Sequence, residues 1–146
     1  MSDERRFLPT WPGGRQELPF SRAVVANGMV WVSGVGGDDL VSGALRPTIE
    51  EQTRDAIANL RRILEAVGSG LHRVVWVQVG LADAADYAAM NAEYVRHFPP
   101  NELPARATVK LGFEAPGTRL VMACTALAGG GPAEPTFNQA GVASGT

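Results

Sequence analysis

Arg106 is the side chain of this sequence best suited to bind a small organic anion. It follows Pro104 and Ala105 and begins a run in which Ala107, Val109 and Leu111 alternate with other residues, as in a β-strand. A guanidinium group offers a rigid fork of N–H donors that matches a carboxylate with two parallel hydrogen bonds. Arg106 is therefore a candidate carboxylate-binding residue. The alternative is a surface arginine, or one paired with a neighbouring acid.

Two polar residues could join Arg106 in such a site. Thr108 follows it by two residues, so both side chains can face the same side of a strand, although β-strands commonly carry threonine. Asn91 lies between Tyr87 and Tyr94, close to an apolar helical stripe. A polar amide at that place has to be hydrogen-bonded. It contacts a ligand, ties the helix to a loop backbone, or does both.

Gly34, Gly36 and Gly37 form a short glycine-rich segment after a predicted strand. The segment lacks the Gly-Lys-Ser/Thr sequence of a phosphate loop, and no helix starts directly after it. Two interpretations remain open. The glycines allow a turn with positive φ, or they allow backbone N–H groups to approach a developing anion closely.

Cys124 is the single cysteine, and it lies in an apolar run from Leu120 to Leu127. One thiol cannot form an internal disulfide, and no activating base is evident beside it, so we interpret it as a core residue. His72 and His97 are interpreted as solvated. Together with Cys124 they do not have the sequence spacing of zinc ligands. We expect no metal site.

The composition is that of one folded domain that does not bind nucleic acid. Of the 146 residues, 45% are hydrophobic and 19% are charged, which is enough apolar material for a core. The net charge is -2 and no basic stripe is present, which argues against phosphate backbones as the main partner. No long apolar run follows the charged N-terminus, so we expect neither signal peptide nor membrane span, and a cytoplasmic location.

Turn and cap residues predict where the elements of this domain begin and end. Asn27–Gly28 between two β-prone runs predicts a hairpin, because a type I′ turn needs positive φ twice. Thr48 and Glu51 fit a capping box, and Gly68 is placed to end the helix that follows. The apolar residues between them recur at helical spacing: Ala56, Leu60, Ile63, Leu64 and Val67.

The second half predicts a strand, a helix and two more strands. Alternation from Val75 to Leu81 indicates a strand, and Asp83 can cap a helix that ends at Pro99–Pro100. The inward stripe of that helix is predicted to be Tyr87, Met90, Tyr94 and Phe98. The order is β-β-α-β-α-β-β, an α+β fold with two helices on one face of a mixed sheet. Because the other face also carries Val and Trp, we expect self-association to bury it.

The sequence predicts three parts of the chain that differ in how regularly they fold. Residues 1–17 are rich in Pro, Gly and charge and are interpreted as an irregular N-terminal arm. Residues 18–128 form the domain. Residues 129–146 shift to Gly, Ala, Pro, Ser and Thr and are interpreted as a flexible C-terminal tail.

Three segments together resemble the RidA (YjgF-type) imine deaminase family. Pro19–Ala23 followed by Trp31–Gly34 looks like its N-terminal hairpin, and Asn91–Tyr94 followed by Phe98 is similar to its second helix. Pro104–Val109 resembles its most distinctive motif, the Pro-Ala-Arg entry to a strand. The spacing agrees from about Leu18 to Ala128, so the combination is specific although each segment alone is weak.

The resemblance implies a chorismate-mutase-like fold and a homotrimer with sites in the clefts between subunits. Typical members hydrolyse 2-imino or enamino acids to 2-keto acids and ammonia without metal or cofactor. By resemblance, Arg106 holds the substrate carboxylate, and Asn91 and Gly34 help to frame the pocket. Phe20 stands where many relatives carry tyrosine, so its ring can wall the pocket but cannot donate a hydrogen bond.

One departure from the family concerns the reaction itself. Typical imine deaminases carry a glutamate in the last strand, and that position falls within residues 121–123, where this chain has no carboxylate. Glu114 or Glu102 could supply an acid from a loop, or a labile substrate could need only orientation and charge neutralisation. Two other functions stay open, a non-catalytic carboxylate-binding or regulatory trimer and a pathway-specific hydrolysis on the same scaffold.

Overall fold

A seven-stranded mixed sheet carries two helices on one of its faces. The structure, a computed structural model, describes residues 4–132 and 144–145. The elements are β1 (Arg5–Leu8), β2 (Ala23–Ala26), β3 (Met29–Val35), α1 (Ile49–Ala66), β4 (Val74–Leu81), α2 (Tyr87–Tyr94), β5 (Ala105–Lys110), β6 (Leu120–Leu127) and β7 (Ser144–Gly145). The strand order is β5-β4-β6-β3-β2-β1-β7. Only the pairing of β4 with β5 is parallel among these strands.

The hairpin between β2 and β3 turns at the predicted dipeptide. Asn27 has φ 50° and Gly28 has φ 75°, so both lie in the left-handed region that a type I′ turn requires. Ala26 pairs directly with Met29 across the turn. The predicted hairpin is therefore confirmed.

Helix α1 begins and ends at the residues that the sequence predicts. The Thr48 hydroxyl accepts a hydrogen bond from the Glu51 amide at 3.1 Å, and the Glu51 carboxylate accepts one from the Thr48 amide at 3.4 Å. This capping box satisfies two amides that a helix start leaves free. Gly68 follows the helix with φ 84°. The predicted apolar stripe is buried against the sheet.

Helix α2 is shorter than predicted, and its stripe is buried only in part. The Asp83 carboxylate accepts a hydrogen bond from the Ala85 amide and caps a 3₁₀ turn that leads into the helix. Met90 and Tyr94 are buried as predicted, but Tyr87 is 48% exposed. The prediction for Tyr87 is wrong because this residue is the first of the helix and faces a cavity beside β5 instead of the core.

The two faces of the sheet differ in what covers them. Residues that face the helices are buried, among them Val77 and Val79 of β4 and Met122 of β6. The other face exposes Trp31 by 47% and Trp76 by 40%. An uncovered apolar face is present, as the sequence predicts.

The N-terminal segment is more ordered than predicted. β1 lies within the supposed irregular arm, pairs antiparallel with β2, and places Leu8 fully inside the core. Periodicity fails to predict this strand because it has only four residues and two of them are arginine. The prediction of a flexible tail falls mainly on residues 133–143 and 146, which lie outside the described residues, while Ser144–Gly145 pair with β1 as β7. No helix in the described part of the chain is long and apolar enough to cross a membrane.

Candidate carboxylate-binding site

Strand β5 sets the direction of Arg106 and Thr108. Arg106 pairs with Val77 and Thr108 pairs with Val79 in the parallel register of β4 and β5. Because Val77 and Val79 are buried on the helix side, their partners point toward the same side of the sheet. The prediction that Arg106 and Thr108 share one side is confirmed.

The Arg106 guanidinium is fixed by groups on α2. Its Nη2 donates a hydrogen bond of 2.6 Å to the Asn91 Oδ1 atom. Its Cζ atom lies 4.7 Å from the centre of the Tyr94 ring and 5.9 Å from that of Tyr87. A cation held over aromatic faces is stabilised by the ring electrons. Asn91 therefore binds the guanidinium of Arg106. This contact differs from both interpretations of the sequence, which were contact with a ligand and a hydrogen bond to a loop backbone.

A cavity of about 520 Å³ opens beside this guanidinium. The described residues that line it are Leu81, Ala84, Tyr87, Arg106, Thr108, Val109 and Lys110. Two of them are cationic and none is acidic. A pocket of this size with a fixed guanidinium is suited to a small organic anion.

Two tyrosines near Arg106 have different surroundings. The pKa of the Tyr87 phenol is lowered, first by hydrogen bonding with the Asn91 amide and then by the positive charge of Arg106. Burial raises the pKa of Tyr94 to about 12, and its buried hydroxyl has no hydrogen-bond partner among the described residues. Tyr87 therefore presents its phenol to the cavity, whereas the buried Tyr94 contacts the guanidinium with its ring.

Gly34 and Phe20 lie away from Arg106 within one chain. Gly34 is in β3, and β4 and β6 lie between β3 and the strand of Arg106. Gly34 is exposed and lies beside Val121. Phe20 is 47% exposed and lines a second cavity of about 550 Å³ together with Arg15 and Arg22.

The glycines of 34–37 are explained by close packing. None of the three has a positive φ, so the interpretation as a positive-φ turn is wrong, and β3 continues through Gly34 to Val35. A Cβ atom on Gly37 would lie 2.8 Å from the backbone oxygen of Gln52 in α1. One on Gly34 would lie 2.9 Å from a methyl of Val121. At Gly37 the close neighbour is backbone and leaves no room for a side chain, whereas at Gly34 it is the Val121 side chain, which would have to shift.

The acids considered from the sequence do not line the Arg106 cavity. Val121 and Ala123 lie in β6 on the open side of the sheet, and Met122 between them is buried. Glu102 and Glu114 are exposed, and neither contributes to the cavity lining. No group of three His, Cys, Asp or Glu side chains among the described residues could hold a metal ion.

The interpretation of Cys124 as a core residue agrees with its surroundings. The side chain is 3% exposed, and burial raises the pKa of the thiol to about 12. His97, interpreted as solvated, instead shares a hydrogen bond of 2.7 Å with the Glu93 carboxylate. Neither residue lines the Arg106 cavity.

Sequence reasoning missed both of the other polar side chains that are known to line the cavity, Tyr87 and Lys110, as well as the apolar ones. Lys110 shares strand parity with Arg106 and Thr108, so the spacing contained the signal. Tyr87 was assigned to the core because its position fits the apolar stripe of α2. Its exposure depends on where that helix begins relative to β5, which the periodicity alone does not determine.

Comparison with known proteins gives the family. The sequence model described as Endoribonuclease L-PSP matches residues 15–128. The chain is 37% identical over 114 residues to "Protein mmf2, mitochondrial" of Schizosaccharomyces pombe, covering 74% of this chain and 86% of that protein. It is 32% identical over 126 residues to 2-iminobutanoate/2-iminopropanoate deaminase of Capra hircus, covering 86% of this chain and 91% of that protein.

A solved structure supports the same assignment. A member of the YjgF protein family from Neisseria meningitidis superposes with a TM-score of 0.72 at 31% identity, covering 85% of this chain and 94% of the other. The chain therefore belongs to the family described as Endoribonuclease L-PSP, which is the RidA (YjgF-type) family. The predicted family and the predicted α+β fold are confirmed.

Proposed function

We propose that this protein hydrolyses a reactive 2-imino or enamino carboxylic acid to a keto acid and ammonia, with Arg106 holding the carboxylate. The observation that carries the proposal is the fixed guanidinium at the wall of a cavity that none of the described acidic residues lines. The relative from Capra hircus, named as a deaminase of 2-iminobutanoate and 2-iminopropanoate, supports the reaction class.

The guanidinium contributes to this reaction by orientation and by charge. The carbon attacked by water is bonded directly to the carboxylate carbon, so gripping the carboxylate fixes the reacting atom. Pairing the carboxylate with a cation also reduces the repulsion between its negative charge and the electron pair of the attacking water. The proposed substrate site is formed by Arg106, Asn91 and Thr108, and no metal or cofactor takes part.

We further propose a cytoplasmic homotrimer whose sites lie between subunits. Gly34 and Phe20, which the family resemblance places at the site, lie away from Arg106 within one chain. A neighbouring subunit could bring them to the Arg106 cavity. The exposed Trp31 and Trp76 on the open face supply apolar surface for such an assembly.

The test of the proposed activity is the decay of a freshly generated imino acid. An amino-acid oxidase with catalase produces 2-iminobutanoate in the cuvette, and we expect the protein to accelerate formation of 2-ketobutanoate. Arg106→Ala should abolish the acceleration, whereas Arg61→Ala, an exposed site on α1, should keep it. Equal rates for wild type and Arg106→Ala would show that Arg106 does not hold the substrate.

A non-catalytic carboxylate-binding trimer is the second candidate, and the composition of β6 favours it. Val121, Met122 and Ala123 offer no carboxylate where typical deaminases have one. Calorimetry with 2-keto acids and aromatic carboxylates would show binding, and a panel of imino acids would show no turnover. The endoribonuclease of the family description is not proposed, because the chain has net charge -2 and no basic stripe.

A further inference from the structure

We infer that Tyr87 is a catalytic residue that transfers protons between water and the nitrogen of the bound imino acid. The inference rests on the proposed deamination and deepens it. Typical family members are expected to use a glutamate in the strand that corresponds to β6, and this chain has none at residues 121–123. The inference assigns the proton transfer to a residue of α2 instead. Tyr87 was expected in the core, and its place at the cavity is what suggests the role.

The position of Tyr87 relative to Arg106 carries the inference. The Arg106 Cζ atom lies 5.9 Å from the centre of the Tyr87 ring, and both side chains line the same cavity. A substrate whose carboxylate is bound by Arg106 has its imine carbon one bond further on. Its imine nitrogen then lies on the side of the guanidinium that faces the cavity, and Tyr87 is the phenol that lines the same cavity.

The other groups that line the cavity are less suited to this step. The Thr108 hydroxyl does not ionise in the accessible pH range. Lys110 is four residues along β5 from Arg106, roughly 13 Å between Cα atoms at the rise of a strand. Tyr94 is 3% exposed and does not line the cavity. Tyr87 is the titratable side chain beside the reacting atoms.

The charges around Tyr87 favour loss of its proton. From β5, Arg106 and Lys110 face the same cavity and both are cationic. Asp86 precedes Tyr87, but its carboxylate accepts two hydrogen bonds from Arg119, at 2.8 and 3.0 Å. Since the Asn91 Oδ1 atom accepts from Arg106, the amide N–H groups of Asn91 remain for the phenol oxygen. These neighbours explain why the pKa of Tyr87 is below its ordinary value.

The reaction balances with water as the only co-reactant. In the first step the water oxygen bonds to the imine carbon, and the C=N π electrons move to nitrogen. The nitrogen takes the Tyr87 proton, and the attacking water returns one proton to the phenolate. In the second step the Tyr87 phenol gives its proton to the nitrogen, the C–N bond breaks and ammonia leaves. The hydroxyl of the adduct returns its proton to the phenolate as the C=O bond forms.

Tyr87→Phe is the direct test, because it keeps the ring and removes the proton. With 2-iminobutanoate we expect kcat to fall by about 100-fold or more, the usual effect of removing a general acid or base. Wild-type kcat/KM should fall as pH rises through the phenol pKa, at a pH below the value of about 10 for free tyrosine. Tyr87→Phe should lack this alkaline decrease, which a merely structural role would not remove.

Three further variants decide between outcomes. Tyr94→Phe removes the other phenol near Arg106 and should keep the alkaline decrease, because that hydroxyl is buried and has no partner in the described part of the chain. Glu102→Gln and Glu114→Gln should keep wild-type kcat if no glutamate activates water. A loss in either glutamine variant, with Tyr87→Phe unaffected, would overturn the assignment to Tyr87 and leave the deamination standing. A wild type without imino-acid turnover would overturn both proposals.

Discussion

The side chains around Arg106 show how an arginine on an edge strand can be ordered to form a candidate binding site. A free arginine on an edge strand has many rotamers, and ordering it costs entropy each time a ligand binds. Here the Asn91 hydrogen bond and the Tyr94 ring hold the guanidinium before any ligand arrives. Residues of α2 thus order the guanidinium without having to contact a bound carboxylate themselves.

Removing the Asn91 amide should weaken substrate binding while leaving the protein folded. In Asn91→Ala the guanidinium loses its hydrogen bond of 2.6 Å, and a bond to a charged group is worth about 1.5–3 kcal/mol. We expect kcat/KM for 2-iminobutanoate to fall about 10- to 100-fold, with a raised KM. Ala92→Ser, at the exposed neighbouring position, is the control. An unchanged KM in Asn91→Ala would mean that Tyr94 alone orders Arg106.

At the scale of elements, the sequence predicts local structure well and non-local pairing poorly. The Asn27–Gly28 turn and the Thr48 cap depend on contacts within a few residues, and both are confirmed. The insertion of β6 between β4 and β3, by contrast, joins residues far apart in the chain. No spacing rule specifies such pairing, because it is decided by which faces can be buried together.

The candidate site shows the same contrast between features that the local sequence predicts and features that depend on tertiary packing. Family resemblance predicted Arg106 and Asn91, and strand parity added Thr108, and these three residues lie at or beside one cavity. The periodicity of α2 predicted a buried Tyr87, because the pattern shows one stripe but not which end of it extends beyond the sheet. The exposure of Tyr87 depends on where the start of α2 lies relative to β5, which is a tertiary property.

The close contact of α1 with the loop that follows β3 gives a stability prediction at this scale. A methyl on Gly37 would meet the Gln52 oxygen at 2.8 Å and its Cα at 3.0 Å, so Gly37→Ala has to shift the helix or the loop. We expect the free energy of unfolding to fall by about 1–3 kcal/mol in urea denaturation. Gly112→Ala is the matched control, since no described residue lies within 4 Å of a Cβ added there, and should change the value by less than about 0.5 kcal/mol. Equal effects would show that the packing at Gly37 is loose.

At the scale of the whole molecule, the uncovered face of the sheet and the division of the predicted site residues suggest the same explanation. The large apolar side chains of Trp31 and Trp76 are exposed, so in a monomer they remain in contact with water. Gly34 lies on that open side and Phe20 at a second cavity, while Arg106 faces the helix side. An assembly of identical chains would bury the tryptophans and bring both sets of residues together at each interface.

Mixing two inactive variants tests whether the site is shared between subunits. Arg106→Ala removes the carboxylate grip, and Phe20→Glu places a negative charge on the wall proposed to come from the neighbour. Each variant alone should be inactive toward 2-iminobutanoate. The two variants are unfolded, mixed in equal amounts and refolded together. If a closed cyclic oligomer assembles at random, about one quarter of its interfaces have an intact Arg106 from one subunit and an intact Phe20 from the neighbour. We therefore expect the mixture to recover about one quarter of wild-type activity. A site contained within one chain would give no recovery, because no single subunit in the mixture has both side chains intact.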